Sequence, residues 1–282
     1  GGGGACIPCL ALLRQDTRVS LAKCADAGIC IGMRLVLYNI RYGTGANWHF
    51  HLPLPFSGYL KFTGRNLSRI TEFLRSEHPD IVGLIEVDGG SYRSRLRSQA
   101  VQIAEALGFD HVYESKYSRR SIAQRLPVFR KQGNALLTNQ NIHATDFHYF
   151  DHGIKRLVIE LELETCVIFL VHLSLLSGHR QRQLRDLYHL FKESKKPMIV
   201  AGDFNALWGD RELDLFLAAT GLRNANLDRL PTYPSHRPRR QLDFVLHSPE
   251  IHVSAFRIPS SRLSDHMPIV CDFAVQGEPA SS

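Results

Sequence analysis

The stretch Pro197-Met-Ile-Val-Ala-Gly-Asp-Phe-Asn205 joins an apolar run to two polar side chains. Met198 to Ala201 reads as a strand buried on both faces, running out at Gly202. In an extended segment, residues two apart point to the same side. Asp203 and Asn205 can therefore act together, one as a base and the other as a hydrogen-bond donor. α/β proteins place their chemistry just past such strand ends. A strand followed by an Asx-type turn has the same local pattern, so the rest of the chain must decide between turn and site.

Other strand ends carry polar residues that packing does not require. Asn39 interrupts an apolar strand, Glu86 ends one, and His172 ends Val167-Ile-Phe-Leu-Val171. Asp243 sits inside Gln241-Leu-Asp-Phe-Val-Leu246, and Ser264-Asp-His266 stands directly before Met267-Pro-Ile-Val270. A buried carboxylate is costly unless it is paired or metal-bound. One such residue is ordinarily a satisfied core group; this many in one chain point to a shared site. The chemistry they suggest is metal-assisted hydrolysis. Glu86, Asn39 and Asp265 offer oxygen ligands, which suit Mg²⁺ or Mn²⁺ better than zinc. Asp265 beside His266, with Asp243 as a second acid, can set a histidine for proton transfer. His172 offers a donor or acid for a phosphate oxygen.

The elements that must hold these residues alternate between strand and helix. Strands are expected at 34–40, 80–86, 133–138, 157–163, 166–172, 197–202, 241–246, 251–256 and 267–273. Helices are expected around Leu67 to Leu74, over 95–107 with Leu96 and Val101 among the apolar positions, over 179–193, and from about 210 to 219. Buried and alternating strands occur together, so sheets covered by helices on their outer sides are expected. Arg180, Arg182 and Arg185 read as the exposed face of the third helix. A long connection, 41–64, carries Tyr42, Trp48, Phe50, Phe56, Tyr59 and Phe62. It suits a groove that stacks bases, a segment that dips into a lipid surface, or a minor core.

The chain has 282 residues and a formal charge of +7. The charge favours polyanionic partners: nucleic acid, phosphorylated metabolites or an anionic lipid surface. No apolar run is long enough for a transmembrane helix and no convincing signal peptide is present, so a cytoplasmic location is expected. Residues 1–32 read as a leader or N-terminal extension, 33–275 as one domain, and 276–282 as a disordered tail. Cys6, Cys9, Cys24 and Cys30 crowd the extension in a spacing that fits no common zinc pattern. Cys166 and Cys271 read as buried free thiols.

Taken in order, Tyr38-Asn-Ile40, Glu86, Gly133-Asn-Ala135, Val171-His-Leu173, Gly202-Asp-Phe-Asn205, Leu242-Asp-Phe244 and Ser264-Asp-His266 resemble the endonuclease/exonuclease/phosphatase superfamily. That group includes deoxyribonucleases of the pancreatic type, abasic-site endonucleases, neutral sphingomyelinases, inositol polyphosphate 5-phosphatases and deadenylases. The resemblance implies a DNase I-like four-layer α/β sandwich: two facing mixed or antiparallel sheets flanked by helices, with the site where strand ends of both halves converge. It implies a divalent-metal phosphodiesterase or nuclease; a lipid or small-molecule phosphoester hydrolase, and less readily a silent binding module, are the alternatives.

The resemblance also assigns roles. Glu86 becomes the principal metal ligand, Asn39 lies beside metal and phosphate, and Asp265 is a second-site ligand or the orienter of His266. Asp203 or His266 activates water, Asn205 binds a phosphate oxygen, His172 stabilises the transition state or assists the leaving oxygen, and Asp243 holds His172. Arg156 stands where relatives sometimes keep a phosphate-contacting arginine; separately, Arg239 and Arg240, in the loop Pro231 to Arg240 before the Asp243 strand, either contact substrate at the cleft or belong to a solvated basic loop. The residues around Asp243 and after Asn205 differ from the 5-phosphatase and abasic-endonuclease patterns and look more like bacterial-type members and sphingomyelinase or deadenylase relatives. A monomer acting on a phosphoester, with nucleic acid or a membrane surface as partner, is the expectation.

Overall fold

The computed structural model describes residues 32–46, 62–115, 131–153 and 155–276. The first four cysteines, most of the aromatic connection (47–61), the basic segment 116–130 and the tail 277–282 lie outside the described residues. The first half runs β1 (Gly32–Asn39), α1 (Gly64–Ser76), β2 (Ile81–Asp88), α2 (Gln99–Leu107), β3 (Asp110–Ser115) and β4 (Gln132–Thr138). The second half starts with β5 (Ile142–Tyr149), β6 (Leu157–Leu163), β7 (Val167–His172), α3 (Ser177–Glu193) and β8 (Met198–Asp203). It ends with α4 (Asp214–Thr220), β9 (Arg223–Asn224), β10 (Asp243–His247), β11 (Ile251–Arg257) and β12 (Ile269–Val275).

Two six-stranded sheets result, in the orders β11-β12-β1-β2-β4-β3 and β5-β6-β7-β8-β10-β9. Each is mixed: β1 pairs β2 in parallel and β7 pairs β8 in parallel, while the other pairings are antiparallel. The faces follow the two-residue period of a strand. Leu35 and Leu37, Ile168 and Leu170, and Ile199 and Ala201 point between the sheets and form the central core. The alternate residues, Val36 and Tyr38 or Phe169 and Val171, pack outward against α1 and α2 or α3 and α4. The four expected layers are present.

Most expected elements appear within a few residues. The strands β3, β5 and β9 were not anticipated: β3 and β9 are two of the sheets' edge strands, β5 is another, and their half-exposed sequences carry little of the core pattern. The second helix starts at Gln99, not 95. Leu96 sits at φ 61 and is exposed, so it is no core position. The basic series on α3 also needs correcting. Arg180 is fully buried; its guanidinium donates to the Ser174 and Leu175 carbonyls and pairs with Glu212. A guanidinium supplies five donors in a fixed fork, which lets one side chain tie two loops to a helix. Cys166 and Cys271 are buried free thiols, and burial pushes them up to about 11 and about 12.

Candidate active site

Strand register sets the first row of the site. His172 on β7 is paired with Asp203 on β8, and Asp203 is paired with Asp243 on β10. Directly paired residues share a face. Each is the next inward position after the central core: His172 follows Ile168 and Leu170, and Asp203 follows Ile199 and Ala201. Asn39 likewise follows Leu35 and Leu37 on the facing sheet. The polar cluster is thus the end layer of the inter-sheet core, where the apolar filling stops and buried polar groups must satisfy one another.

Glu86 reaches this layer by a different device. The β2–β4 register shifts between Leu84 and Val87, and Glu86 adopts φ 57. A bulge inserts an extra residue and re-aims a side chain, and here Ile85 faces the central core while Val87 faces the helices. The Asn134 side chain accepts from the Glu86 amide at 3.3 Å and steadies the bulge. Asn205, at φ 50, is the second non-glycine in the left-handed region among the predicted site residues. Its amide N–H donates to Asp203 at 3.0 Å and its side chain donates to the Leu173 carbonyl at 2.9 Å. Such backbone costs about 1–3 kcal/mol and clusters at functional sites.

The contacts cross between sheets. Asn39 Nδ2 donates to Asp203 Oδ2 at 3.2 Å, and His172 Nε2 lies 3.3 Å from the same oxygen. His266, just before β12, sets Nε2 4.0 Å from Asp203 Oδ2 and Nδ1 2.8 Å from Asp243 Oδ2. The expected pairing of Asp243 with His172 is therefore corrected: Asp243 holds His266. The alternative in which Asp265 orients His266 is also not seen, since its carboxylate lies 3.3 Å from Arg41 Nε and accepts from Ser264 Oγ. The reason is local. Residues 263–266 form a bend before β12, and this bend turns Asp265 toward Arg41 and His266 toward Asp243.

Two cations in this layer were missed. Lys155 places its ammonium against His172 Nε2 and 3.9 Å from Glu86 Oε1. Gln183 on α3 fixes this loop by donating to the carbonyls of His152 and Lys155. The neighbouring candidate, Arg156, donates instead to the Gly153 carbonyl at 2.6 Å. The Lys155-Arg156 pair was a visible signal, but which of the two turns inward depends on the loop. Arg41, at φ 45 after β1, was not signalled at all. Arg240 is exposed and lies with Tyr233, whose ring centroid is 4.9 Å from that of His266.

The electrostatics follow from this packing. Burial lowers the His266 pKa, but the Asp243 carboxylate on Nδ1 and the Asp203 charge outweigh it and push it up to about 10. The proton of the Asp243–His266 pair stays on the imidazole. Burial and then the Lys155 charge push His172 down to about 4, against the pull of Asp203. Burial raises the Asp203 pKa, yet the hydrogen bond from His172 and the charges of His266 and Lys155 hold it well below the usual carboxylate range. A neutral His172, an ionised Asp203 and a cationic His266 meet at the end of the core.

The donor set is oxygen-rich and suits a hard divalent cation. Asp203, Asp243 and His266 offer ligand atoms within 4.8 Å of one another. His266 Nδ1 is engaged by Asp243, so this group takes an ion only when the imidazole gives up its proton. Glu86 is only 18% exposed and already has an ammonium beside it, which marks its carboxylate as a place where a cation is held.

The sequence profile described as "Endonuclease/Exonuclease/phosphatase family" matches residues 36–266. A UPF0294 protein of Vibrio vulnificus (strain YJ016) is 33% identical over 99 residues, which cover 34% of each chain; the match thus spans about a third of that relative's length. Among solved structures, an endonuclease/exonuclease/phosphatase family protein from Bacteroides thetaiotaomicron superposes with a TM-score of 0.66 at 15% identity, over 88% of this chain and 99% of that one. The human Nocturnin catalytic domain with bound sulfate anion superposes with a TM-score of 0.61 at 20% identity, over 87% and 95%. At such identities the two structures speak for the fold alone.

Proposed function

Because the chain belongs to the endonuclease/exonuclease/phosphatase family, we propose that it is a divalent-metal-dependent phosphoester hydrolase, acting as a phosphodiesterase or nuclease. The observation that carries this reading is the cross-sheet layer in which Asn39, His172 and His266 all face one carboxylate, Asp203. Hydrolysis of a phosphoester needs an aligned water, a proton acceptor, and positive charge around the equatorial oxygens.

This chain's residues divide those tasks by charge state. Asp203 is ionised and is the acceptor for the proton of the attacking water. His266, held protonated by Asp243, places a positive N–H 4.0 Å from Asp203, where it binds a phosphoryl oxygen. The sequence left Asp203 and His266 open as the base; the proton on His266 favours Asp203. Lys155 adds a second positive group to the same oxygens. His172, neutral and buried, orients Asp203 and contacts the reacting phosphate. Asn39 and Asn205 hold the Asp203 carboxylate from two directions. Glu86 and Asn39 would hold a metal ion at the mouth, with Mg²⁺ or Mn²⁺ the fitting choice. When bound, such an ion neutralises phosphate charge and acidifies water. Asp265 reaches it only by leaving Arg41.

A second reading, hydrolysis of a lipid phosphoester, has its own observation. Leu175 and Leu176 lie just beyond His172, and Trp208 just beyond Asn205; they are 54%, 63% and 80% exposed. Arg180 and Glu212 fix both loops, since Glu212 also accepts from the Trp208 amide at 2.7 Å. An exposed Trp and Leu rim suits an interface with lipid.

Bis-p-nitrophenyl phosphate, plasmid DNA, oligo-RNA, sphingomyelin and phosphoinositides, each with Mg²⁺, Mn²⁺ or EDTA, test both readings. Metal-dependent cleavage of the diester and of a nucleic acid is expected. Activity that survives EDTA sinks the metal assignment, and cleavage confined to the lipids replaces the first reading with the second.

A further inference from the structure

The segment Pro231-Thr-Tyr-Pro-Ser-His-Arg-Pro-Arg-Arg240 has no helix or strand pattern, yet it is held firmly. Its ends close on each other: Arg239 and Arg240 donate their amides to the Tyr233 carbonyl, and Thr232 donates to the Arg240 carbonyl. It is also stapled to the chain around His266. Ser235 donates its amide to the Asp265 carbonyl and its hydroxyl to the Ser264 carbonyl, and Met267 donates to the Thr232 carbonyl. The loop therefore keeps a fixed position beside the catalytic imidazole.

This loop borders an open concavity of about 340 Å³, formed by Tyr233, Pro234, His236, Arg237, Arg239 and Arg240, whose accessible lining is almost wholly apolar. No acidic side chain lines it. Among the described residues, none pairs with the guanidinium of Arg237, Arg239 or Arg240. The three guanidiniums are exposed and stand within four residues of one short loop, and like charges held so close together favour an anion among them. Tyr233 is the shared wall: it lines the pocket, and its ring lies against that of His266.

We propose that the exposed arginines of this loop form a second phosphate subsite at the rim of the concavity, holding the phosphate adjacent to the scissile one in a single-stranded nucleic acid. The proposal rests on the reading of the neighbouring cluster as a phosphoester hydrolase site. Guanidinium forks match phosphate oxygens in pairs, and a tyrosine face between two phosphate positions suits the intervening base. A phospholipid with a quaternary ammonium headgroup fits poorly, because it would bring a positive charge to three arginines. A simple phosphodiester lacks the second phosphate and leaves the pocket unused.

The test uses the double variant Arg237→Ala/Arg239→Ala of the full chain, with Arg237→Lys/Arg239→Lys as the charge-conserving control. Binding of a fluorescein-labelled single-stranded oligonucleotide is read by anisotropy in EDTA, over a series of salt concentrations. The alanine variant is expected to bind about tenfold more weakly at moderate salt, with a log–log salt slope shallower by about 0.7, as for one lost phosphate contact on a single strand. The lysine variant should keep most of the slope. With Mg²⁺, kcat/KM should fall about tenfold more for the oligonucleotide than for bis-p-nitrophenyl phosphate. An unchanged slope in a variant that melts like the wild type overturns the subsite. Binding of inositol hexakisphosphate or of phosphatidylcholine vesicles through these arginines, with none of the oligonucleotide, overturns the nucleic-acid assignment. If the wild type hydrolyses no diester, the hydrolase reading falls while the EDTA binding series still judges the pocket.

Discussion

At the scale of single residues, one oxygen organises the site: Asp203 Oδ2, approached by Asn39, His172 and His266. Asp203→Asn keeps the shape and removes the charge. It should lower kcat at least about a hundredfold, the range for lost acid–base catalysis, with an unchanged circular dichroism spectrum; near-wild-type turnover would refute the role. Lys155→Met should lower kcat by about 10²–10³, as when a preorganised charge on a phosphoryl oxygen is lost. Arg156→Met should cost far less, because that guanidinium bonds a loop carbonyl. The two histidines also make opposite contributions to stability. His266, raised from 6.5 to about 10, contributes stability that is complete below about pH 6.5 and is lost as the pH climbs toward 10. His172, lowered from 6.5 to about 4, must stay neutral, so stability falls as the pH drops through that window. Denaturant midpoints measured in EDTA should therefore peak near neutral pH, and His266→Asn should flatten the alkaline limb specifically.

At the scale of elements, close strand contacts decide where these groups stand. A Cβ at Gly202 would lie 2.0 Å from the Val171 carbonyl oxygen, inside the β7–β8 pairing that aligns His172 with Asp203. Gly202→Ala must move one strand. Overpacking of this kind costs about 1–3 kcal/mol, and the displaced row should lose most of its turnover, so the variant should fail in activity before it fails in folding. The end of β2 depends on a buried polar knot. Asp88 accepts from the amides of Gly90 and Ser91, the hydroxyls of Ser91 and Ser94, and the Arg93 guanidinium. Gln99 accepts from the Asp88 amide and donates to the Tyr42 carbonyl and Thr63. Asp88→Ala strands a buried guanidinium, so a loss of about 3–5 kcal/mol is expected in chemical denaturation.

At the scale of the whole molecule, the site is the place where two sheets are tied together at one end of their shared core. Asn39 and Glu86 come from one sheet, and His172, Asp203 and Asp243 from the other. An ion held there by Glu86 and Asn39, as proposed, would bind the folded chain alone. Mg²⁺ or Mn²⁺ at about a hundred times its dissociation constant should then stabilise the fold by about 2.7 kcal/mol. Thermal melting with and without the ion reads this directly, and Glu86→Gln should abolish the shift. No helix among the described residues is long and apolar enough to cross a membrane.

The order of motifs along the chain was enough to name the layers of the fold and most of the polar residues that meet at the end of its core, because both rest on local patterns. Strands show in apolar runs with a period of two, and a polar residue at the end of such a run is conspicuous whatever lies across from it. Which polar residue meets which was not legible. Asp243 belongs to His266 and Asp265 to Arg41 because the bend before β12 carries His266 to the end of β10 and turns Asp265 toward the residues after β1. Glu86 is aimed by a bulge, and Lys155 rather than Arg156 turns inward because α3 grips that loop. The burial of Arg180, which looked like surface, depends on Glu212 from a distant loop. Side-chain type is a property of the residue and survives in the sequence; its partner is a property of packing, set by strands that lie far apart in the chain and adjacent only in the folded sheet.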